Sequence, residues 1–228
     1  MPPDADYVFD LISPDPERRA RALARDAELR ADGERALACY NELWFRAGKT
    51  WRPQDAALLA AMDQARAAMI AARDRTLGGI TSNFIHARVG GPHVHDLLAP
   101  YAVLFLKREI AFPDEWAGRR TPGGPWWAKK RVLKRFVEAG VPTRLRSDVI
   151  RLIAAAVERE HRCEDGGFAA VARAVDGAEL RGALEAAEAM PDPLVRLNAQ
   201  YARWVVDHPA TPVTAVGWRR WLASDACF

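Results

Sequence analysis

Cysteine is scarce in this chain, and so is any long apolar run. The three cysteines, Cys39, Cys163 and Cys227, are odd in number and far apart. They make no disulfide framework and read as incidental thiols of a cytoplasmic protein. The longest apolar candidate, Leu97–Leu106, has ten residues and contains Pro100, whereas a bilayer span needs about 18 or more. No membrane partner is therefore expected, and the opening Met-Pro-Pro-Asp-Ala-Asp, which has no basic n-region, is not expected to be a secretory signal. Lysine is rare, five against 28 arginines, which is a bias of high-GC coding. Strand-like alternation is nearly absent. No Gly-x-Ser-x-Gly, Walker loop or Gly-x-Gly-x-x-Gly occurs, and the glycine pairs at 78–79, 90–91, 123–124 and 166–167 read as turn formers. No cofactor is expected.

Helical periodicity is what the chain has in quantity. Asp15 caps a first helix to about Arg30, with Pro16 in its first turn, where the missing N–H costs nothing. Gly33 is expected to break it before a second helix carrying Leu37, Tyr40, Leu43, Trp44 and Ala47. A third starts at Pro53, runs through Leu58, Met62, Ala65, Met69 and Ala72, and ends at Gly78-Gly79. Phe84–Val89 and Leu97–Leu106, on either side of Gly90-Gly91-Pro92, fit short buried helices or strands, and Pro100–Ile110 reads as a core helix starting at its proline. After the 118–125 loop, helices are expected at about 126–139, 145–160, 166–175, 177–190, 192–207 and 213–223. Short connections make successive helices antiparallel neighbours. The fold class is all-α: one domain over 1–228, divisible at the loop into 1–117 and 125–228.

One pattern occurs twice: Asp15-Pro16-x-x-Arg19-x-x-Ala22 and Asp192-Pro193-x-x-Arg196-x-x-Ala199. It resembles the capped helix turn of HEAT-type helical repeats, over residues 141–223 and more faintly over 13–47. The resemblance implies antiparallel helices stacked in a HEAT-like or irregular bundle, with a surface for a protein partner. Leu194, Leu197, Tyr201, Trp204 and Val205 make one apolar stripe of their helix, and Val195, Ala199, Ala202 and Val206 a second. Such a helix is expected to be sandwiched, with Trp204 in the core. Trp44 and Trp221 read as core too, whereas Trp51, Trp116, Trp126, Trp127 and Trp218 flank Pro, Gly or Arg and read as partly exposed.

Charge is distributed unevenly. Between Gly118 and Arg151 stand ten basic residues against Glu138 and Asp148, a balance of 10 − 2 = +8 in a chain whose total is +3. Within it, Val132, Leu133, Phe136 and Val137 form an inner stripe, while Lys130, Arg131, Lys134 and Arg135 line the opposite face. Four like charges on one face repel unless acids or a ligand oppose them. Arg119, Arg120, Trp126 and Trp127 extend the same surface, and Arg196 and Arg203 make a polar strip further on. The favoured expectation is a non-catalytic interaction module that binds a protein partner through these residues.

Two alternatives remain. The same cations suit nucleic acid, through counterion release and stacking on the tryptophans. Length, helicity and Trp/Arg richness resemble alkylpurine DNA glycosylases built on HEAT-like repeats, but no acid beside Trp and Arg is assignable. His86, His93 and His95 are candidate metal ligands of a small metal-dependent enzyme. On a helix, however, His93 and His95 diverge by roughly 200°. His161 and Cys163 stand close in sequence, but such neighbours are rarely oriented as a nucleophile–base pair.

Overall fold

The computed structural model describes residues 6–87, 91–117, 124–160 and 164–223. The fold is all-α. The chain divides into two compact units, Met1–Asn83 and Phe84–Phe228. The 118–125 segment therefore falls inside the second unit, and most of it lies outside the described residues.

The first unit is a helical hairpin with a short brace. A 3-10 segment, Asp6–Ile12, precedes α1 (Pro16–Arg46) and α2 (Ala56–Arg73), and α3 (Leu77–His86) follows. Asp15 caps α1 by accepting from Glu17 N and Arg18 N, with Pro16 at the first turn. Gly33 does not break this helix, which continues for 31 residues. A glycine in mid-helix costs about 1 kcal/mol. Here α2 packs along α1, and a Cβ at Gly33 would lie 3.8 Å from that of Ala72, so tertiary packing overrides the local preference. The helix expected third along the chain is α2, which starts after its cap Asp55 and not at Pro53. Gly78 and Gly79 lie within α3 instead of terminating the chain's previous helix. A Cβ at Gly79 would stand 1.9 Å from the Arg73 carbonyl oxygen, so glycine permits the tight passage between α2 and α3. The brace is held by Tyr7, whose hydroxyl lies 3.3 Å from Asp26 Oδ1 and donates to the Arg75 carbonyl at 3.2 Å. Asp26 is buried and pairs with Arg30 at 2.6 Å.

The second unit holds α4 (Gly91–Ala111), α5 (Asp114–Ala117), α6 (Pro125–Ala139), a 3-10 turn (Thr143–Leu145), α7 (Arg146–Val157), α8 (Gly166–Ala174), α9 (Ala178–Glu188), α10 (Pro193–Asp207) and α11 (Ala215–Leu222). Among the described residues the helix-or-strand ambiguity resolves to helix, with 84–86 ending α3 and 91–106 lying in α4. Pro100 sits inside α4 and does not start it. Its missing N–H leaves the carbonyl of Asp96, four residues back, without a helical donor, and the Arg144 guanidinium donates to that oxygen.

Around this, α6 packs on α4 and α8, while α7 touches α4, α8, α9 and α10. Asp192 caps α10 by accepting from Leu194 N. Arg196 reaches back to the carbonyls of Met190 and Pro191, as Arg19 does to Leu11. The repeated Asp-Pro-x-x-Arg pattern is thus a two-ended cap: the carboxylate takes the new helix's N–H groups, and the guanidinium takes the incoming carbonyls.

On α10 both stripes contribute to the core: Val195, Ala199, Ala202 and Val206 of the narrower one are buried, as are Tyr201 and Val205 of the wider one, while Leu194 is exposed. Trp204, expected in the core, is half-buried at the rim of a cluster centred on Ala169, Tyr201, Val205 and Trp221, whereas Trp221, also read as core, is buried. Trp44 is likewise only half-buried. Trp116, expected near the surface, is buried against Phe105 at 4.8 Å and Trp126 at 5.4 Å. No helix among the described residues is long and apolar enough to cross a membrane.

Candidate functional site: the two faces of the cationic helix

Helix α6 starts at Gly124 with Pro125 at its first turn and no side-chain cap. Its inner line, Lys129, Val132, Leu133 and Phe136, is buried, whereas Val137, expected inside, is exposed. Lys129 is the surprise: its side chain has 0% exposure, and so does that of Glu109. Lys129 Nζ lies 2.5 Å from Asp165 Oδ1 and 3.4 Å from Glu109 Oε2. Arg159 approaches the same two carboxylates, at 2.8 Å each. Among the described residues two cations thus face two buried anions, the pairing that buried charge requires. The indole of Trp126 and the ring of Phe168 each stand 5.4 Å from Lys129 Nζ and complete its surroundings. This quartet ties α4, α6 and the segment leading into α8 together.

The outer face carries Trp127, Lys130, Arg131 and Lys134. Trp127 is 44% exposed, with the Arg131 guanidinium 5.7 Å from its ring centre and His86 stacked at 6.4 Å. Lys130 and Lys134 are 62% and 56% exposed, and their carboxylate neighbours, Glu164 at 3.6 Å and Glu138 at 3.4 Å, are loosely held. Exposed pairs of that kind contribute little and compete poorly with another anion.

The other expected contributors are elsewhere. Trp126 is turned toward Trp116 and Lys129. Arg135 is half-buried, and its Nε finds no acceptor among the described residues. Arg144 serves Asp96, Arg146 donates to the Asp176 carbonyl, and Arg151 pairs with Asp148 at 2.5 Å. Lys107 donates to Asp148 at 2.7 Å and holds its carboxyl below the usual range. Arg196 and Arg203 belong to α10, bound to local carbonyls and to Glu188 at 2.8 Å. Arg119 and Arg120 lie outside the described residues, as do His161 and Cys163.

The three candidate metal ligands are not brought to one point. His95 is buried, with Nε2 3.0 Å from the Gly140 carbonyl and its ring against Phe84 and Phe136. His93 is exposed on α4, and His86 stacks on Trp127. Among the described residues no group of three or more His, Cys, Asp or Glu is arranged to hold a metal. Burial holds the His95 imidazole below its ordinary pKa, and the nearby Arg135 charge pushes in the same direction.

Sequence reasoning missed the quartet. Lys129 was findable, because it stands three and four residues before Val132 and Leu133 on the buried line. Its partners at 109, 159 and 165 are distant in sequence and carry no local signal. Comparison with protein families, characterised proteins and solved structures finds no match to the chain.

Proposed function

We propose that this chain is a non-catalytic helical interaction module that docks a protein partner bearing carboxylates on the outer face of α6. The observation that carries this is Trp127, a large exposed aromatic in contact with the Arg131 guanidinium and the His86 ring and accompanied on its helix by two accessible lysines. Trp and Arg dominate binding hot spots. Arg119 and Arg120 adjoin this face in sequence. In this reading α7 to α11 form a degenerate HEAT-like stack that supports the surface, a view supported by the Asp192 cap and by α10 packing on α7, α8 and α9.

Nucleic acid is the second reading, supported by the same four side chains. It is disfavoured because Arg144, Arg146 and Arg151 are engaged by the protein itself. A Lys130→Gln, Arg131→Gln, Lys134→Gln variant with Trp127→Ala separates the two. Fluorescence anisotropy with duplex and single-stranded probes from about 50 to about 200 mM salt should show weak binding. A salt slope of about −0.9 per phosphate that flattens in the variant would instead establish nucleic acid. A protein partner crosslinked by the wild type and lost by the variant supports the proposal. Unchanged crosslinking in the variant removes this face from consideration.

A further inference from the structure

Helix α2 is poorly covered for its composition. Only Asp63, Gln64, Arg66 and Arg73 of its 18 residues are polar, yet only Met62, Ala65 and Ala72 are buried. A helix apolar on nearly all sides belongs between neighbours, and within the first unit α1 packs along one side of it.

The uncovered side carries a specific pattern. Leu59, Asp63, Arg66 and Ile70 follow at spacings of four, three and four, so they form one continuous line along the helix, exposed at its centre and half-buried at Leu59 and Ile70. The line reads apolar, acid, base, apolar, and its centre coincides with the centre of α2, which runs from 56 to 73. Asp63 and Arg66 are exposed, and among the described residues neither enters an ion pair or a side-chain hydrogen bond. They are three apart on the same helix and still unpaired. Ala56, Ala60 and Ala67, all exposed beside this line, are small enough to let another helix approach closely.

We infer that α2 is a homodimerisation surface, packing antiparallel against α2 of a second copy across a two-fold axis at the helix midpoint. That operation sends position 63 opposite 66 and position 59 opposite 70. Each Asp63 then meets the other copy's Arg66, twice over, and each Leu59 meets an Ile70. A two-fold contact demands a self-complementary patch, and a line of opposite charges flanked by apolar residues, symmetric about its centre, is such a patch. An unrelated partner has no need of that symmetry. The contact is about 27 Å long at 1.5 Å per residue. It lies toward the small end of specific interfaces, so dimerisation is expected to depend on concentration. The inference concerns α1 and α2 alone and is independent of the α6 proposal.

Charge exchange tests it. Sedimentation velocity of the full chain across a wide dilution series should show a monomer–dimer equilibrium. Asp63→Arg alone, or Arg66→Asp alone, places like charges opposite each other and should weaken dimerisation by roughly tenfold or more. The double variant Asp63→Arg with Arg66→Asp restores opposition across the axis and should recover the wild-type constant to within about threefold. Ala67→Trp should block approach sterically and leave a monomer. These positions are exposed, and unchanged circular dichroism shows that each variant folds. A wild type that is monomeric throughout overturns the inference, as does a dimer indifferent to the single reversals or a double variant as weak as the singles.

Discussion

Removing the Lys129 charge takes a cation from two buried carboxylates, Glu109 and Asp165. Lys129→Met should therefore cost about 3–5 kcal/mol in urea unfolding, the usual penalty for breaking a buried pair. Lys130→Met, one residue on and exposed, should stay within about 0.5 kcal/mol. Equal effects would place Lys129 at the surface. His95 gives a second test at this scale. Its folded pKa lies below the ordinary value, so as pH falls the unfolded chain takes up the proton first. Its contribution is intact above about pH 7 and is lost as pH drops through about 6.5 toward the folded value, with a slope of at most about 1.4 kcal/mol per pH unit. Urea midpoints at pH near 7.5 and near 5.5 should differ more for wild type than for His95→Leu. An identical difference in both would assign the pH dependence to other groups.

Among the elements, two glycines make opposite predictions. Gly33→Ala should stabilise the protein by about 0.5–1 kcal/mol, since the new methyl meets Ala72 at an ordinary 3.8 Å and the helix gains propensity. Gly79→Ala should destabilise it, because the methyl would overlap the Arg73 carbonyl. Thermal melts moving the same way for both would contradict this account of the hairpin. Tryptophans divide in the same manner. Trp221→Ala, from the centre of its cluster, should cost about 3–5 kcal/mol, and Trp204→Ala, from the rim, distinctly less.

These contrasts show how far the sequence is informative. The helices after residue 125 and both Asp-Pro caps were readable, because apolar spacing and capping chemistry are local. The continuity of α1 through Gly33 and of α4 through Pro100 was not. In each case a distant group, Ala72 for one and Arg144 for the other, offsets a local penalty. The outer face of α6 was legible as a run of cations, but its division between exposed lysines and a buried one depends on partners far along the chain.

Over the whole molecule, burial is unequal. Unit 2 holds most of the buried apolar side chains, including nearly all those of α7 and the inner stripe of α10, whereas the 31 residues of α1 bury only Ala22, Asp26 and Leu29. Amide hydrogen exchange should accordingly be slowest in α7 and α10 and fastest, among helices, in the distal half of α1, where opening exposes little new apolar surface. Uniform protection would mean that the hairpin is covered, which dimerisation through α2 alone would not achieve.

The tryptophans turn that inequality into an optical property. Only Trp44 and Trp51 belong to the first unit, where they stand 6.1 Å apart at the turn between α1 and α2; the other six belong to the second. Trp51 is 67% exposed, whereas Trp116 and Trp221 are buried. Red-shifted emission that acrylamide quenches readily therefore includes the hairpin's signal, and blue-shifted, protected emission arises in the second unit. A Trp44→Phe, Trp51→Phe variant would silence the first unit, so the difference from wild type would report the melting of the hairpin without any attached dye.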